Sequence, residues 1–535
     1  LPVPPMETLV QKLQLGDSVR MDGAVAMVLL DPEKVDREMV EAGGNMGVRF
    51  DLDPSSYPMA AILPVKDLQD ISKTATFVRD GKYVKVVRKG GSKNDPAISW
   101  GLRLGKKYLA VATKKKWLNA FPGNGKFLPR MTAGQEKMIQ RDHGWAWIDL
   151  KRMKQLHSRN VAPKLPGMGY GMRTMMYAMP IGPPLLWVTM TRESWMTQAD
   201  HVAVSVHSSA DGIRFETRLG YGRKSPFRKA LAAAKPISKP RTILQGLPGL
   251  DGLFYYGSNK TLRTPMEMKK QDYANLLGHP VLADLPKEVR DTLLKSVESI
   301  QGQVTGVKHF CGPSKANNGS LAFGTIVKCK DSATLRKTIH TAADRAGAAM
   351  KKLTENSSTK VRLTINKDVI AVGSLTGDRI QFDGTMFQGE ELSKSLETAI
   401  GDDRPSFSII PLDKKRLLVT FMGGEDFIKT AVAAARADKV PDGLPKKHYD
   451  RIVRRLPGNR VTELFIYPSR AGNLYIDIGN RIMPNSGMDN VVFPPSPPVA
   501  ASLSADKGEL VIVAFVPAEV PKAITSFYLG MMMRH

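Results

Sequence analysis

Residues Leu417–Ala437 read LLVTFMGGEDFIKTAVAAARA: an apolar strand-like run, a glycine corner at Gly423 and Gly424, then a segment with helical periodicity. The same passage from strand through a Pro, Gly or Lys corner into a helix occurs at Ala60–Thr74 (AAILPVKDLQDISKT), Phe323–Ala343 (FGTIVKCKDSATLRKTIHTAA) and Leu510–Leu529 (LVIVAFVPAEVPKAITSFYL). One such unit cannot bury both its sheet face and its helix stripe, so its recurrence predicts an α+β fold: duplicated units of mainly antiparallel sheet with packed helices.

Around these corners the chain reads as three units. Residues 1–135 form an N-terminal α+β unit with strands at Val25–Leu30, Tyr83–Val87 and Tyr108–Thr113 and helices at Met6–Leu13 and Glu33–Glu41. A middle unit, 140–355, opens on the aromatic run Trp145–Leu150 and includes Leu186–Met190, Val202–Val206 and Ile213–Leu219. The later of these alternate at period two, the pattern of antiparallel strands with one wet face. It then holds a helix at Pro286–Ile300, a hairpin of Val304–Phe310 with Ala322–Val327, and a helix over Ala333–Leu353 capped by Asp331 or Ser332. The C-terminal unit, 357–535, predicts helices at Gly389–Ile400, Gly424–Ala437 and His448–Leu456, with the stiff Pro494–Pro498 (PPSPP) before the last strand pair.

Length and composition narrow the classes. The 535 residues are 42% hydrophobic and 24% charged, the balance of a folded multidomain protein rather than a disordered one. No apolar run reaches the roughly 18 to 20 residues that a transmembrane helix needs. Leu1 in place of Met predicts that an N-terminal piece, such as a signal peptide and more, has been removed or was never included. The two cysteines, Cys311 and Cys329, flank Asn318-Gly319; a turn centred there would set Cys311 opposite a residue near 326, against a disulfide to Cys329.

The net charge of +27 is the largest anomaly. Spread evenly it would act weakly, because screening in physiological salt reaches only about 8 Å. It is clustered instead. Gly81–Trp117 carries eleven Lys or Arg against the single acid Asp95, interleaved with Tyr83, Trp100, Tyr108 and Trp117, and Lys151–Pro180 carries six basic residues and no acid. These runs define candidate anion-binding residues: Lys106, Lys107, Lys114, Lys115, Lys116, Lys151, Arg152 and Lys154. The expected partner is an anionic polymer or membrane surface, with nucleic acid disfavoured.

No motif supplies chemistry. Gly167–Gly171, Gly220–Ser225 and Gly123–Lys126 lack dinucleotide or Walker spacing and read as turns. The methionines at 168, 172, 175, 176 and 179 contain no Cys or His among them and read as packing rather than a copper site. His201 and His207 share a strand face but stand roughly 20 Å apart, too far for one metal. His309 and Cys311 lack an orienting acid and read as a structural pair, while the acid pairs Asp51/Asp53, Glu390/Glu391 and Asp402/Asp403 read as turns and helix starts. No catalytic, cofactor-binding or metal-ligating residue is therefore expected.

The stretches LPVPPMETLVQKLQLGDSVRMDGAVAMVLLDP at the start, AILPVKDLQDI after it, GLPGLDGLFYYG in the middle and SLSADKGELVIVAFVPAEVPKAI near the end resemble an exported planctomycete-type bacterial protein family of tandem α+β units. The resemblance spans most of the chain and rests on structural corners. It implies a periplasmic or extracellular location and a further strand and helix before LPVPP, and it implies no activity. The combined expectation is a non-enzymatic envelope or periplasmic protein of structural or binding role. The alternatives are a carrier holding an apolar or amphipathic ligand between a curved sheet and its helices, a nucleic-acid binder, or a hydrolase gathering His, Asp or Ser from distant positions.

Overall fold

A computed structural model describes residues 26–30, 59–65, 75–88, 90–92, 94–104, 108–120, 131–152, 155, 198–233, 243–249, 252–259, 302–313, 321–354, 361–384, 406–439, 446–482 and 491–532, with scattered positions between 291 and 300. The chain is a mixed, strand-rich protein of large antiparallel sheets and a few helices. It divides into two compact units, residues 1–143 with 149–173, and residues 144–148 with 174–535.

The smaller unit holds a six-stranded sheet of β1 (Ala26–Leu29), β2 (Met59–Pro64), β3 (Ala75–Asp80), β4 (Tyr83–Arg88), β5 (Ser99–Leu104) and β6 (Tyr108–Ala112), in the order β1-β2-β6-β5-β4-β3. β3 and β4 meet through Gly81-Lys82, and Gly81 takes φ +62°, a left-handed conformation that glycine adopts without a Cβ penalty. Tyr83, Leu102, Ala110 and Ile62 stand opposite one another across four strands. Over that face lies a short 3-10 helix, Lys115–Ala120, whose Trp117 and Leu118 are wholly buried in the same cluster. Helix α1 (Ala133–Arg141) starts on a capping box, the Gln135 amide donating to Thr132 Oγ1 at 3.2 Å and the Thr132 amide to Gln135 Oε1 at 3.3 Å.

The larger unit is organised by one 13-stranded sheet. Its strands are β7 (Gly144–Asp149), β8 (His201–Ser209), β9 (Gly212–Gly220), β10 (Phe254–Asn259), β11 (Val304–Pro313), β12 (Leu321–Cys329), β13 (Val361–Val372), β14 (Leu375–Gly384), β15 (Ser406–Asp413), β16 (Arg416–Phe421), β17 (Arg460–Ile466), β18 (Val499–Asp506) and β19 (Glu509–Pro517). Their order is β13-β14-β15-β16-β12-β11-β10-β17-β18-β19-β9-β8-β7. The helices with both ends among the described residues are α2 (Pro226–Ala233), α3 (Ser332–Thr354), α4 (Glu425–Ala437), α5 (Lys446–Val453), α6 (Pro468–Ile482) and α7 (Glu519–Met532).

The two faces of the sheet bury different side chains. β12 and β16 are antiparallel neighbours, so the helices that follow them leave from opposite ends. On one face Phe310, Ile326, Leu418 and Ile410 share a cluster with Phe427, Ile428, Ala431, Val432 and Ala435 of α4 and with Tyr449 and Ile452 of α5. On the other, Val307, Val327, Leu417 and Ile409 meet Leu335, Ile339 and Ala343 of α3, and Phe254 and Cys311 meet Ala471 and Leu474 of α6. Asp331 caps α3 by accepting from the Thr334 amide at 2.7 Å.

Three of the four strand-to-helix corners are present, as β12 into α3, β16 into α4 and β19 into α7; the helical half of Ala60–Thr74 lies outside the described residues. So do the predicted elements Met6–Leu13, Glu33–Glu41, Leu186–Met190 and Gly389–Ile400. The expected division at 355–357 falls inside the larger unit, because β12 before it pairs with β16 after it. The 304–327 hairpin forms with a different register: Cys311 faces Phe323, and Val304 faces Cys329. Both cysteines are buried free thiols.

Candidate functional site

The basic run of the smaller unit is built on buried aromatics. Trp117 and Leu118 fix the 3-10 helix against the sheet, and Lys114 just before it and Lys116 on it are exposed. Lys114 Nζ stands 5.2 Å from the Trp117 ring centre. Lys115 turns inward instead. Its Nζ lies 2.6 Å from Asp80 Oδ2, 5.0 Å from the Trp100 ring and 5.2 Å from the Tyr83 ring. Tyr83, 8% exposed, donates its hydroxyl to Asn119 Oδ1, tying the sheet to the far end of the same helix.

Trp117 and Tyr83 are anchors in the core rather than platforms open to stacking bases, and Lys115 spends its charge on Asp80. Lys151 is exposed, and Arg152 donates through Nη1 to Gln155 Oε1 at 3.3 Å while its amide donates to Asp149 Oδ1 at 2.8 Å. Lys106, Lys107 and Lys154 lie outside the described residues, as do the methionine run, Gly123–Lys126, Gly167–Gly171 and the three acid pairs.

In the larger unit, register assembles something that no local pattern announces. Ser205, Glu216, Val513, Ser502, Glu463, Gly257, Lys308, Ile326, Leu418 and Ile410 are successive cross-strand partners, so their side chains share one row of one face. Half of this row is polar, and it is buried: Ser205, Glu216, Ser502, Glu463 and Lys308 are all at most 9% exposed. The alternation of β8 and β9 predicted a wet face, and the structure buries it.

Both buried carboxylates of the row are paired with arginine. Glu216 receives Arg214 Nη2 at 2.6 Å on Oε2 and Arg218 Nε at 2.6 Å on Oε1, and Arg218 Nη1 reaches Asp506 at 2.9 Å and Glu509 at 3.1 Å. Glu463 accepts from Arg460 Nε and from the Tyr449 hydroxyl at 3.3 Å. Burial pushes the Glu463 carboxyl upward, and Arg460 opposes it without reversing the direction. Gly257 leaves room for Ile243, whose Cγ2 would lie 1.9 Å from a Cβ added at 257. This admits the 243–249 segment onto the sheet, where the Gln245 carbonyl accepts from Lys308 Nζ.

Burial first, then repulsion from Lys328, lowers Lys308 to about 8. The unfolded chain, with a lysine near 10.4, binds more protons across that window, so stability rises with pH from about 8 toward 10. Lys308→Met is therefore expected to stabilise the larger unit at pH 7 by about 1–2 kcal/mol, allowing for the lost hydrogen bond. The gain shrinks as pH climbs through 8, which denaturant unfolding of both proteins over a pH series measures.

On the opposite face Asp378 is fully buried and saturated. It accepts from Arg336 Nε and Nη2, from His340 Nε2 at 2.7 Å and from the Asp368 amide at 2.9 Å. With every acceptor direction used, this His–Asp pair is a clamp between α3 and the β13–β14 hairpin rather than a proton-transfer dyad. His309 Nδ1 lies 2.8 Å from Thr325 Oγ1 and its ring stacks on Tyr256 at 5.4 Å. Burial raises the Cys311 thiol well above its ordinary value, which removes the thiolate a nucleophile requires. His201 stacks with Trp147 at 6.1 Å. Among the described residues no group of three or more His, Cys, Asp or Glu side chains could hold a metal ion, and no helix is long and apolar enough to cross a membrane.

Compared with protein-family models, curated proteins and solved structures, the chain shows no match.

Proposed function

We propose that this is a non-enzymatic binding protein of the cell envelope or periplasm whose smaller unit presents a basic surface to an anionic polymer or membrane surface. The observation that carries the reading is the seating of the 3-10 helix: Trp117 and Leu118 are wholly buried, and Lys114 and Lys116 are exposed from that fixed backbone. Among the described residues between 75 and 120, eight are basic (Arg79, Lys82, Lys85, Arg88, Arg103, Lys114, Lys115, Lys116) and two are acidic. Both acids are occupied locally, Asp80 by Lys115 and Asp95 by the Ser92 amide at 2.9 Å. The field at this surface is therefore positive, and a polyanion gains by releasing its counterions to it.

The exported location rests on the resemblance. A duplicated origin for the strand-to-helix corners belongs to the same proposal, supported by the repeated order of β12–α3, β16–α4 and β19–α7. The test is binding of the full chain to acidic polysaccharide, anionic vesicles, duplex DNA and single-stranded RNA. Lys114→Gln with Lys116→Gln is expected to weaken binding of the preferred polyanion at least tenfold at low salt. Equal binding by the variant removes this corner as the source.

A further inference from the structure

Among the described residues the two sheets end on four strands, β1 and β3 in the smaller unit and β7 and β13 in the larger. β1 has four residues and β3 and β7 have six each, whereas β13 has twelve. An edge strand offers unpaired amides and carbonyls to another chain, and a long, regular one is the hazard. β13 also has a composition that pairs readily: it reads VRLTINKDVIAV, with one acid against two basic residues and a high content of β-branched side chains.

This longest end strand is broken in its middle. Asn366 faces Arg379 and Ile370 faces Gly377, so Lys367, Asp368 and Val369 stand against Asp378 alone. All three bulged residues are exposed, Val369 at 57%, and Asp368 takes φ +55°, a left-handed conformation that no regular strand contains. The bulge is fixed from within. Asp368 donates its amide to Oδ1 of the buried Asp378 at 2.9 Å, and its carboxylate accepts from Arg336 Nη2 of α3 at 2.8 Å. An amide bonded to a buried carboxylate is withheld from a neighbouring strand. Leu363 and Ile365 pack with α3, while Ile370 and Val372 join the cluster on the opposite face. Packing thus engages both faces of β13, and the irregularity falls on its edge.

We infer that the bulge at Lys367, Asp368 and Val369 is a guard that keeps β13 from pairing with β13 of a second copy of this chain. A two-fold antiparallel pair sets identical strands against each other, so every molecule in solution carries the complementary edge. The bulge interrupts the ladder such a pair needs and leaves regular stretches of six and three residues, 361–366 and 370–372. Lys367 adds a charge at the break, a second device by which edges are kept apart. The clamp on Asp378 therefore does more than hold α3 to the hairpin: it holds the guard in place.

Deleting Lys367 and Asp368 from the full chain leaves Val369 alone against Asp378 and, because two residues go, keeps every other side chain of β13 on its own face. In sedimentation velocity the deletion variant is expected to self-associate at least tenfold more tightly than the wild type, with unchanged far-UV circular dichroism. Adding Thr364→Lys and Asn366→Lys, on the strand face of Arg362, sets like charges across such a pair and is expected to restore wild-type sedimentation. A folded deletion variant that sediments as the wild type overturns the inference, and so does association that the two lysines leave unchanged. A deletion variant that does not fold overturns it too, since the bulge is then a packing requirement. Residue-resolved hydrogen exchange reads the wild type without substitution. The Asp368 amide is expected to be protected, and alternate amides of 361–366, pointing away from β14, to exchange at least tenfold faster than those between them. Protection of every β13 amide overturns the inference, because the edge is then already covered.

Discussion

Asp378→Ala is expected to destabilise the larger unit by about 3–5 kcal/mol, because it breaks a buried charge network by removing one partner. The carboxylate is 0% exposed and gathers Arg336, His340 and the Asp368 amide, so its loss leaves a guanidinium only partly exposed and strands a backbone donor. Burial by itself would raise the Asp378 carboxyl; the hydrogen bonds from Arg336 and Asp368, with His340, reverse this and hold it below the ordinary carboxylate range. The sign follows from linkage. A depressed folded value means that the contribution is complete above the unfolded value near 3.9 and is lost as pH falls through the folded one. Denaturant unfolding should therefore show wild type losing stability below about pH 4 more steeply than the variant. A loss under about 1 kcal/mol would mean that Asp378 does not hold α3 to the hairpin.

Glu463→Leu is the second large effect, again about 3–5 kcal/mol. Arg460, 1% exposed, would lose the carboxylate that its Nε reaches, while the Pro457 carbonyl still accepts from its Nη1 at 3.1 Å. Adding Arg460→Met should recover most of that loss, since a buried ion pair replaced by apolar side chains of similar volume is often neutral or stabilising. The pH signature is opposite to that of Asp378. A carboxyl raised by burial favours the folded state in its protonated form, so this contribution declines as pH rises from the unfolded value near 4.3 through the folded one. Unfolding midpoints of wild type, single and double variants between pH 3 and 8 separate the two carboxylates.

The corners at 323–343, 417–437 and 510–529 were legible because a continuous apolar run, a breaker and a helical period follow one another locally. Asn318-Gly319 announced a hairpin but not its register. The ladder between β11 and β12 is set by side chains on both faces of a central strand pair, and it places Phe323 opposite Cys311. The charged row could not be read at all. Glu216, Glu463 and Lys308 come from three distant segments and fall in one row only through cross-strand register. Asp378 carries no local signal, because sequence polarity cannot show that α3 covers it.

The basic corner was half legible. Lysines interleaved with aromatics marked the place, yet the same pattern suits exposed stacking rings and buried anchors equally. Which of these forms depends on whether the segment folds back over the sheet, and Trp117 at 0% exposure answers that. The consequence is a rigid display of Lys114 and Lys116 in place of a base-stacking platform.

The most direct test of that display is the salt dependence of polyanion binding by wild type and by the Lys114→Gln, Lys116→Gln variant. The account predicts a linear fall of log affinity with log salt, with a slope shallower in the variant by about 2, one for each cation removed. Superimposable slopes, or a wild-type affinity that ignores salt, would contradict it.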